Sequence, residues 1–294
     1  MSAPYDPTKF RESNRVTEYR PALGIFLSLA LPGLVLTCGC EQAAPPEPTG
    51  STGSATTATA AVKVVPIRNL DELHAALKRA NPNYNGAAQA QFENDLLLAI
   101  DLRGTGVTDL SPLAGQPLKA FYAEENPLTD LKPLRGLKLS AISLNDTPVA
   151  DLGPLRGMPL NEVRLMNTQV RDVGPLQGAP LHELWLNNAP IDDIEALAGS
   201  PLISLTIEGT KVRSIAVVRR LLKLERLNMA GCEATDLTPI AGLPLTRLVF
   251  TPGKITAGIE AARTLPRCQE IGPSMEQKGP PAPFWPAYDA GVFR

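Results

Sequence analysis

Between Asp109 and Leu202 one phrase is written five times, as DLSPLAGQPL, DLKPLRGLKL, DLGPLRGMPL, DVGPLQGAPL and DIEALAGSPL, at a fixed spacing of 21 residues. A period of this length constrains the fold more than any other feature, because every copy must build the same local structure and stack on its neighbours. In one copy Leu118, Phe121 and Ala123 point one way, and Asn126, Leu128, Leu131 and Leu134 continue the inward set. The next copies read Leu139, Ile142, Leu144, Thr147, Val149, then Leu160, Val163, Leu165, Thr168, Val170. Leu181, Leu184, Leu186, Ala189, Ile191 and Leu202, Leu205, Ile207, Thr210, Val212 follow. The L-x-x-L-x-L segment alternates with period two, which predicts a short strand with one buried face. The D-L-x-P-L-x-G phrase then returns the chain on the opposite side. No single turn can bury its own leucines, so the turns stabilise one another as a one-dimensional array. Plentiful proline (29) and glycine (23) and a low aromatic content (5%) suit such a turn-rich repeat better than a core built on aromatic packing.

One aspartate recurs per turn, at Asp109, Asp130, Asp151, Asp172, Asp193 and Asp236. A calcium ladder is one reading of the column. Calcium takes six to eight oxygens, and a turn supplies one carboxylate. The other reading has each Asp accept from free backbone N–H groups at the start of a helical turn with proline in its first positions. Prolines 112, 133, 154, 175 and 239 favour the cap, and the glycines that close the phrases fit a turn requiring positive φ.

The pattern resembles that of bacterial leucine-rich repeat proteins with short 21- to 22-residue units, over residues 96–272 and roughly eight turns. The resemblance implies an α/β leucine-rich repeat solenoid, with a curved parallel sheet on one face, short helical turns or loops on the other and an N-terminal helical cap. The usual Asn after the strand occurs once, at Asn126. Its place is held elsewhere by Thr105, Thr147, Thr168, Ala189, Thr210 and Cys232. Thr is expected to donate to a carbonyl of a neighbouring turn, whereas Ala189 and Cys232 largely cannot. Turn six reads VRSIAVVRRLLKLERL, without Asp, Pro or Gly at the usual places, and Ile215, Val218, Leu221 and Leu222 have helical spacing. A longer helix is expected there, with Arg219, Arg220 and Lys223 either a contact patch or a solvated face.

Such an array needs ends. LDELHAALKRANPNYNG predicts a cap helix with Leu70, Leu73, Ala76 and Leu77 on one face and Asn69 or Asp71 starting it. KITAGIEAARTLPRCQEIG keeps Ile255, Ile259, Leu265, Cys268 and Ile271 in rough register and reads as a closing turn. The tail PAPFWPAYDAGVFR concentrates aromatics, and it either packs on the last turn or stays free to bind a partner.

The N-terminus is organised differently. Lys9, Arg11, Arg15 and Arg20 precede 17 uncharged residues, Pro21 to Thr37, followed by CGCEQ. A basic region, an apolar stretch and small residues read as an export signal. LVLTCGC also resembles a bacterial lipobox, with lipidation expected at Cys40, which Gly39 precedes; Cys38 or an uncleaved N-terminal anchor are the alternatives. Residues 41–62 lack periodicity and apolar content and are expected to be a disordered tether. The expected organisation is 1–40 signal and lipobox, 41–62 linker, 63–95 N-terminal cap, 96–272 repeat array and 273–294 C-terminal tail.

Proteins of the resembled type usually bind through the outward strand face. Its two central columns here run Asp101/Arg103, Tyr122/Glu124, Ser143/Asn145, Arg164/Met166, Trp185/Asn187, Thr206/Glu208, Asn228/Ala230 and Val249/Thr251. Tyr122, Arg164, Met166, Trp185 and Asn187 form the candidate site, since Trp, Tyr and Arg dominate interface hot spots. Glu162 and Glu183 fall beside Arg164 and are candidates to pair with it. Net charge −2, from 28 basic and 30 acidic residues, gives no field that recruits nucleic acid. His74 and His182 have no nucleophile at a meaningful spacing, and Gly104-Thr105-Gly106 falls far short of a dinucleotide fingerprint. Cys232 and Cys268 are expected to be buried free thiols. The sequence therefore predicts a non-enzymatic, exported and membrane-anchored monomer of the bacterial envelope, without cofactor or metal, that binds a protein partner. The alternatives are an envelope spacer or a glycan-binding module.

Overall fold

The computed structural model of the chain describes residues 64–293. The expected signal, the lipobox with Cys38 and Cys40, and the linker over 41–62 lie outside the described residues.

Helix α1 spans Leu70–Ala80, and Asn69 caps it by accepting from the Glu72 N–H at 2.9 Å. Leu73 and Leu77 are fully buried, but Leu70 is 42% exposed, so the apolar stripe is narrower than its spacing suggests. Two strands follow, β1 (Gln89–Glu93) and β2 (Leu96–Asp101), paired antiparallel. Asn94 and Asp95 join them, both at positive φ, as a two-residue hairpin turn requires. The sequence reading placed only a helix in this cap. The hairpin signal was Asn-Asp between two alternating runs.

Eight three-residue strands succeed one another. They are β3 (Ala120–Tyr122), β4 (Ala141–Ser143), β5 (Glu162–Arg164), β6 (Glu183–Trp185), β7 (Ser204–Thr206), β8 (Arg226–Asn228), β9 (Arg247–Val249) and β10 (Glu270–Gly272). All ten strands lie in one sheet in sequence order, and every pair after β1–β2 is parallel. The register advances by 21 residues from Tyr122 through Ser143, Arg164 and Trp185 to Thr206, and by 22 at Asn228. Constant register is what lets a repeated leucine meet a repeated leucine. Leu118, Phe121, Leu128, Leu131 and Leu134 of one turn are buried, as are Leu160, Val163, Leu165 and Val170 two turns on. One continuous core runs from Ile67 to Phe284.

The opposite edge is made of short 3-10 turns such as Lys132–Leu134 and Gly153–Leu155. The aspartates hold their entry. Asp109, Asp130, Asp151, Asp172, Asp193 and Asp236 each accept, at 2.6–2.8 Å, from the N–H two residues on. That is an Asx-type turn leading into the helical turn; the residue at the cap position itself makes no side-chain bond. The closing glycines are left-handed, as at Gly136 (φ 80°) and Gly178 (φ 79°).

Three expectations are corrected. The threonines bond chiefly within their own turn: Thr105, Thr147, Thr168 and Thr210 donate to the carbonyl three residues back, and only Thr105 also reaches the next turn, 3.4 Å from the Asn126 side-chain oxygen. A short hydroxyl reaches its own turn's carbonyl first, and only the longer Asn126 amide crosses, to the Leu102 carbonyl at 2.7 Å. In turn six the helix is longer, but it is a five-residue 3-10 segment, Ala216–Arg220, and Leu222 is 74% exposed instead of buried. Cys232 and Cys268 are both free; Cys232 is buried and Cys268 only half-buried.

At the far end α2 (Ile259–Arg263) and β10 close the array. The tail forms α3 (Pro281–Asp289), whose buried Phe284 meets Phe250 edge-on at 5.9 Å between ring centres. Arg263 lies over the Trp285 ring at 4.6 Å and also pairs with Asp289, fastening α3 to α2. Between β10 and α3 the chain doubles back, with Ile271 bridging Gly279 antiparallel. This segment crosses the outer face of the last strand, where a Cβ on Gly272 would meet the Lys278 backbone at 2.5 Å.

Candidate recognition surface on the sheet

Because side chains alternate along a strand, residues 120, 122 and 124 of one turn and their equivalents face away from the core. Constant register aligns them in three columns. Tyr122, Ser143, Arg164 and Trp185 stand on consecutive strands directly opposite one another. At about 4.8 Å per strand, Tyr122 and Trp185 are roughly 14 Å apart.

The structure brings together part of the expected site. The Arg164 guanidinium carbon lies over the Trp185 ring, 4.6 Å from its centre, and the guanidinium also pairs with Glu162 at 2.5 Å. Only 13% of the Arg164 side chain is exposed. Asn187 donates to Glu208 at 2.9 Å, and Asn228 donates to the same oxygen at 2.9 Å. Met166 is partly exposed in the same column as Asn187, and its N–H is held by the Asn145 side chain at 2.9 Å. Tyr122 stands apart from Trp185, separated from it by Ser143 and Arg164. Burial raises its phenol pKa above the ordinary value, and the nearby Glu162 carboxylate adds to that.

Of the two carboxylates read as candidates to pair with Arg164, Glu162 does so and Glu183 does not; Glu183 reaches across β7 to Arg226 at 3.2 Å. Other residues of this face were not singled out from sequence. Arg247 pairs with Glu270, which Lys278 also holds at 2.8 Å, and these cations keep the Glu270 carboxyl below its usual range. Ser143 is fully buried although it occupies an outward position. Glu124 is half-buried, and burial raises its carboxyl pKa. The Ser143 hydroxyl beside it pulls the other way without completing an aligned hydrogen bond. Among the described residues, four buried side-chain polar atoms have no partner: Glu124 Oε2, Ser143 Oγ, Arg164 Nε and Asn187 Oδ1. All four belong to outward positions on four consecutive turns. At the other end Val249, read as an outward position, is fully buried.

Two cavities among the described residues lie away from this face. One of about 720 Å³ sits between α1 and the first 3-10 turn, lined by Val65, Ile67, Glu72, Arg79 and Asp109. A smaller one of about 190 Å³ lies between Pro252, Tyr288 and Phe293. His74 shares a 2.5 Å hydrogen bond with the Tyr84 hydroxyl, whose oxygen also accepts from the Ala88 N–H, so it fastens the cap. No cluster of three potential metal ligands occurs among the described residues, and the aspartate oxygens nearest the 3-10 turns are taken by backbone N–H groups.

No protein-family model matches the chain, and no curated protein matches it. Solved structures do. A crystal structure of an internalin C2 from Listeria monocytogenes superposes with a TM-score of 0.56 at 26% identity, over 68% of this chain and 91% of that one. An internalin F of the same species gives a TM-score of 0.50 at 22% identity, over 73% of this chain and 78% of that one. The fold is a leucine-rich repeat solenoid. Within that solenoid the sheet face carries the polar and aromatic groups that packing leaves unused, while the leucine positions are committed to the core.

Proposed function

We propose that this leucine-rich repeat protein is a non-enzymatic recognition scaffold, binding a protein partner on the sheet face around Tyr122, Arg164, Met166, Trp185 and Asn187. The observation that carries the reading is the pairing of Arg164 with Trp185 on the outward face of the sheet, at positions the core does not use. The Arg164–Trp185 stack contributes a preformed anchor, since a guanidinium over an indole is worth about 0.5–2 kcal/mol depending on desolvation. A rigid array holds these groups in place before the partner arrives and so avoids the ordering entropy a loop would lose. The scaffold acts as a monomer. It is exported and tethered at the bacterial envelope, through a lipid on Cys40 or through the uncleaved N-terminal segment, with 41–62 as the tether.

Trp185→Ala and Arg164→Ala are each expected to abolish partner capture while leaving the circular dichroism spectrum and the melting transition in place. If both variants keep the partner, while deletion of one whole turn disturbs the envelope, the array is a spacer and the reading falls. For the tether, Cys40→Ala is expected to end fatty-acid labelling; persistent label moves the site to Cys38.

A further inference from the structure

Turn six breaks the repeat on the flank that leads from the 3-10 turns back to the strands. In other turns a single residue, such as Pro159, Pro180, Pro201 or Pro244, separates the residue that closes the 3-10 turn from the leucine that starts the next strand segment. In turn six the Leu221 N–H closes on the Val218 carbonyl, and two residues, Leu222 and Lys223, precede Leu224. This is the extra residue that makes the register advance by 22 at Asn228. The core gains nothing from it. Leu222 is 74% exposed, more than any other large apolar residue described, and Arg220 and Lys223 beside it are exposed as well.

The fold does not answer these cations. Arg213, Arg226, Arg247 and Arg263 each pair with a carboxylate. Among the described residues Arg220, Lys223 and Arg267 enter no ion pair. The exposed Arg267 holds the place of Lys223 two strands further on, about 10 Å away at about 4.8 Å per strand. Arg219 is set apart, since it donates to the Ala216 carbonyl and its charge acts on Asp236. Glu225, half-buried, is the one carboxylate within two residues of Lys223, so the patch stays positive. The described chain also begins on this flank. Val64 packs on Gly115, and the Gln116 side chain donates to the Val65 carbonyl at 2.7 Å and accepts from the Ile67 N–H at 3.3 Å. Gln116 closes the first 3-10 turn as Leu221 closes the sixth, so the residues before Val64, with their uncharged run Pro21 to Thr37, join the array at the edge that carries Leu222.

We propose that this flank docks on an anionic lipid bilayer, with Leu222 inserted at the headgroup boundary and Arg220, Lys223 and Arg267 on lipid phosphates. Binding at such an interface sums buried apolar area and attraction to anionic headgroups, and a basic patch turns the reversible hold of one lipid chain into a stable one. A protein interface would need a packed apolar core around Leu222, whose column neighbours are prolines and cations. A bilayer needs only the protruding side chain and loosely placed charges. The inference rests on the tether of the proposed function, not on its sheet-face site, and leaves that face open to the protein partner.

The test uses the full chain with dansylalanine at position 222, added to vesicles of phosphatidylcholine alone or mixed with phosphatidylglycerol. The readout is emission wavelength, which reports the surroundings of position 222 whether or not the N-terminal segment holds the chain on the vesicle. A blue shift is expected on the anionic vesicles only, reversed by high salt. Arg220→Gln combined with Lys223→Gln is expected to raise the lipid concentration at half-maximal shift by about tenfold or more, since each cation near an anionic surface contributes about fivefold. Both residues are exposed, so the variant keeps its fold. The same probe at Thr206, on the sheet face, is expected to be unmoved by either vesicle. No shift, equal shifts on both vesicles, an unchanged half-point in the double variant, a shift at position 206, or the same shift with soluble polyphosphate alone each overturns the inference. If position 222 stays unshifted while Trp185→Ala loses the partner, docking fails and the recognition reading survives. If position 222 shifts while Trp185→Ala keeps the partner, the recognition reading fails alone.

Discussion

Replacing Asn126 by alanine removes the one side chain at the position where the strand ends that hydrogen-bonds the backbone of an adjacent turn. The amide is 3% exposed. Its nitrogen donates to the carbonyls of Leu102, Ala123 and Glu124 at 2.7, 3.1 and 3.0 Å, and its oxygen accepts from the Val107 N–H at 3.0 Å. After truncation two of these groups keep another donor: the Leu102 carbonyl retains Thr105, and the Glu124 carbonyl retains the Gly104 N–H. The Ala123 carbonyl and the Val107 N–H are left with none. At about 1–3 kcal/mol for each buried group left unsatisfied, the expected loss is roughly 2–6 kcal/mol. Threonine, the residue that other turns use, should recover the Ala123 bond in the way Thr147 bonds the Leu144 carbonyl, but it cannot reach Val107. Asn126→Thr is therefore expected to cost about half as much as Asn126→Ala. Urea unfolding gives the totals, and hydrogen exchange at the Val107 amide reads the exposed group directly. The reasoning is refuted if alanine costs under about 0.5 kcal/mol, the scale of an ordinary surface substitution, or if threonine costs as much as alanine.

Two further substitutions separate charge from backbone geometry. The raised pKa of Glu124 means that the folded protein binds more protons than the unfolded chain between the ordinary carboxylate value and that pKa, so stability falls as pH rises through this window. Glu124→Gln is expected to be more stable than the parent at neutral pH and to flatten that slope, as measured by melting temperature against pH. Gly258 sits at φ 75°, and a Cβ there would lie 2.1 Å from the Thr238 nitrogen. Gly258→Ala is expected to destabilise by well over about 1 kcal/mol, since both the backbone and the contact forbid it, with the loss visible as faster exchange around α2 and the Thr238 turn.

The repeated phrase made most of this architecture legible. Strand, return and core positions could be read because each is repeated at constant spacing, and Leu118, Phe121, Leu128 and Leu134 are buried as the period requires. The outward columns were legible for the same reason, since period two leaves only one alternative face. What escaped was whatever the period does not encode. The Glu183–Arg226 pair spans 43 residues and depends on how far an arginine reaches over a small Ser204. Burial of Val249 accompanies the doubling back of the tail over β10, and the tail has no repeat to read. The direction in which Thr147 or Thr168 bonds was missed because side-chain length decides between two carbonyls that the sequence presents equally. For the candidate site, sequence supplied the aromatic and arginine members; it could not mark Ser143 or Glu124, whose distinction is burial at outward positions.

The account's central claim is that the sheet face binds and the 3-10 edge does not. A photoreactive benzoyl-phenylalanine placed at Thr206, outward and next to Trp185, and separately at Arg156, exposed on the 3-10 edge, tests it in living cells. The account predicts a discrete adduct from position 206 that disappears when Trp185→Ala is added, and none from position 156. An adduct from position 156 alone, or one from 206 that survives Trp185→Ala, contradicts it.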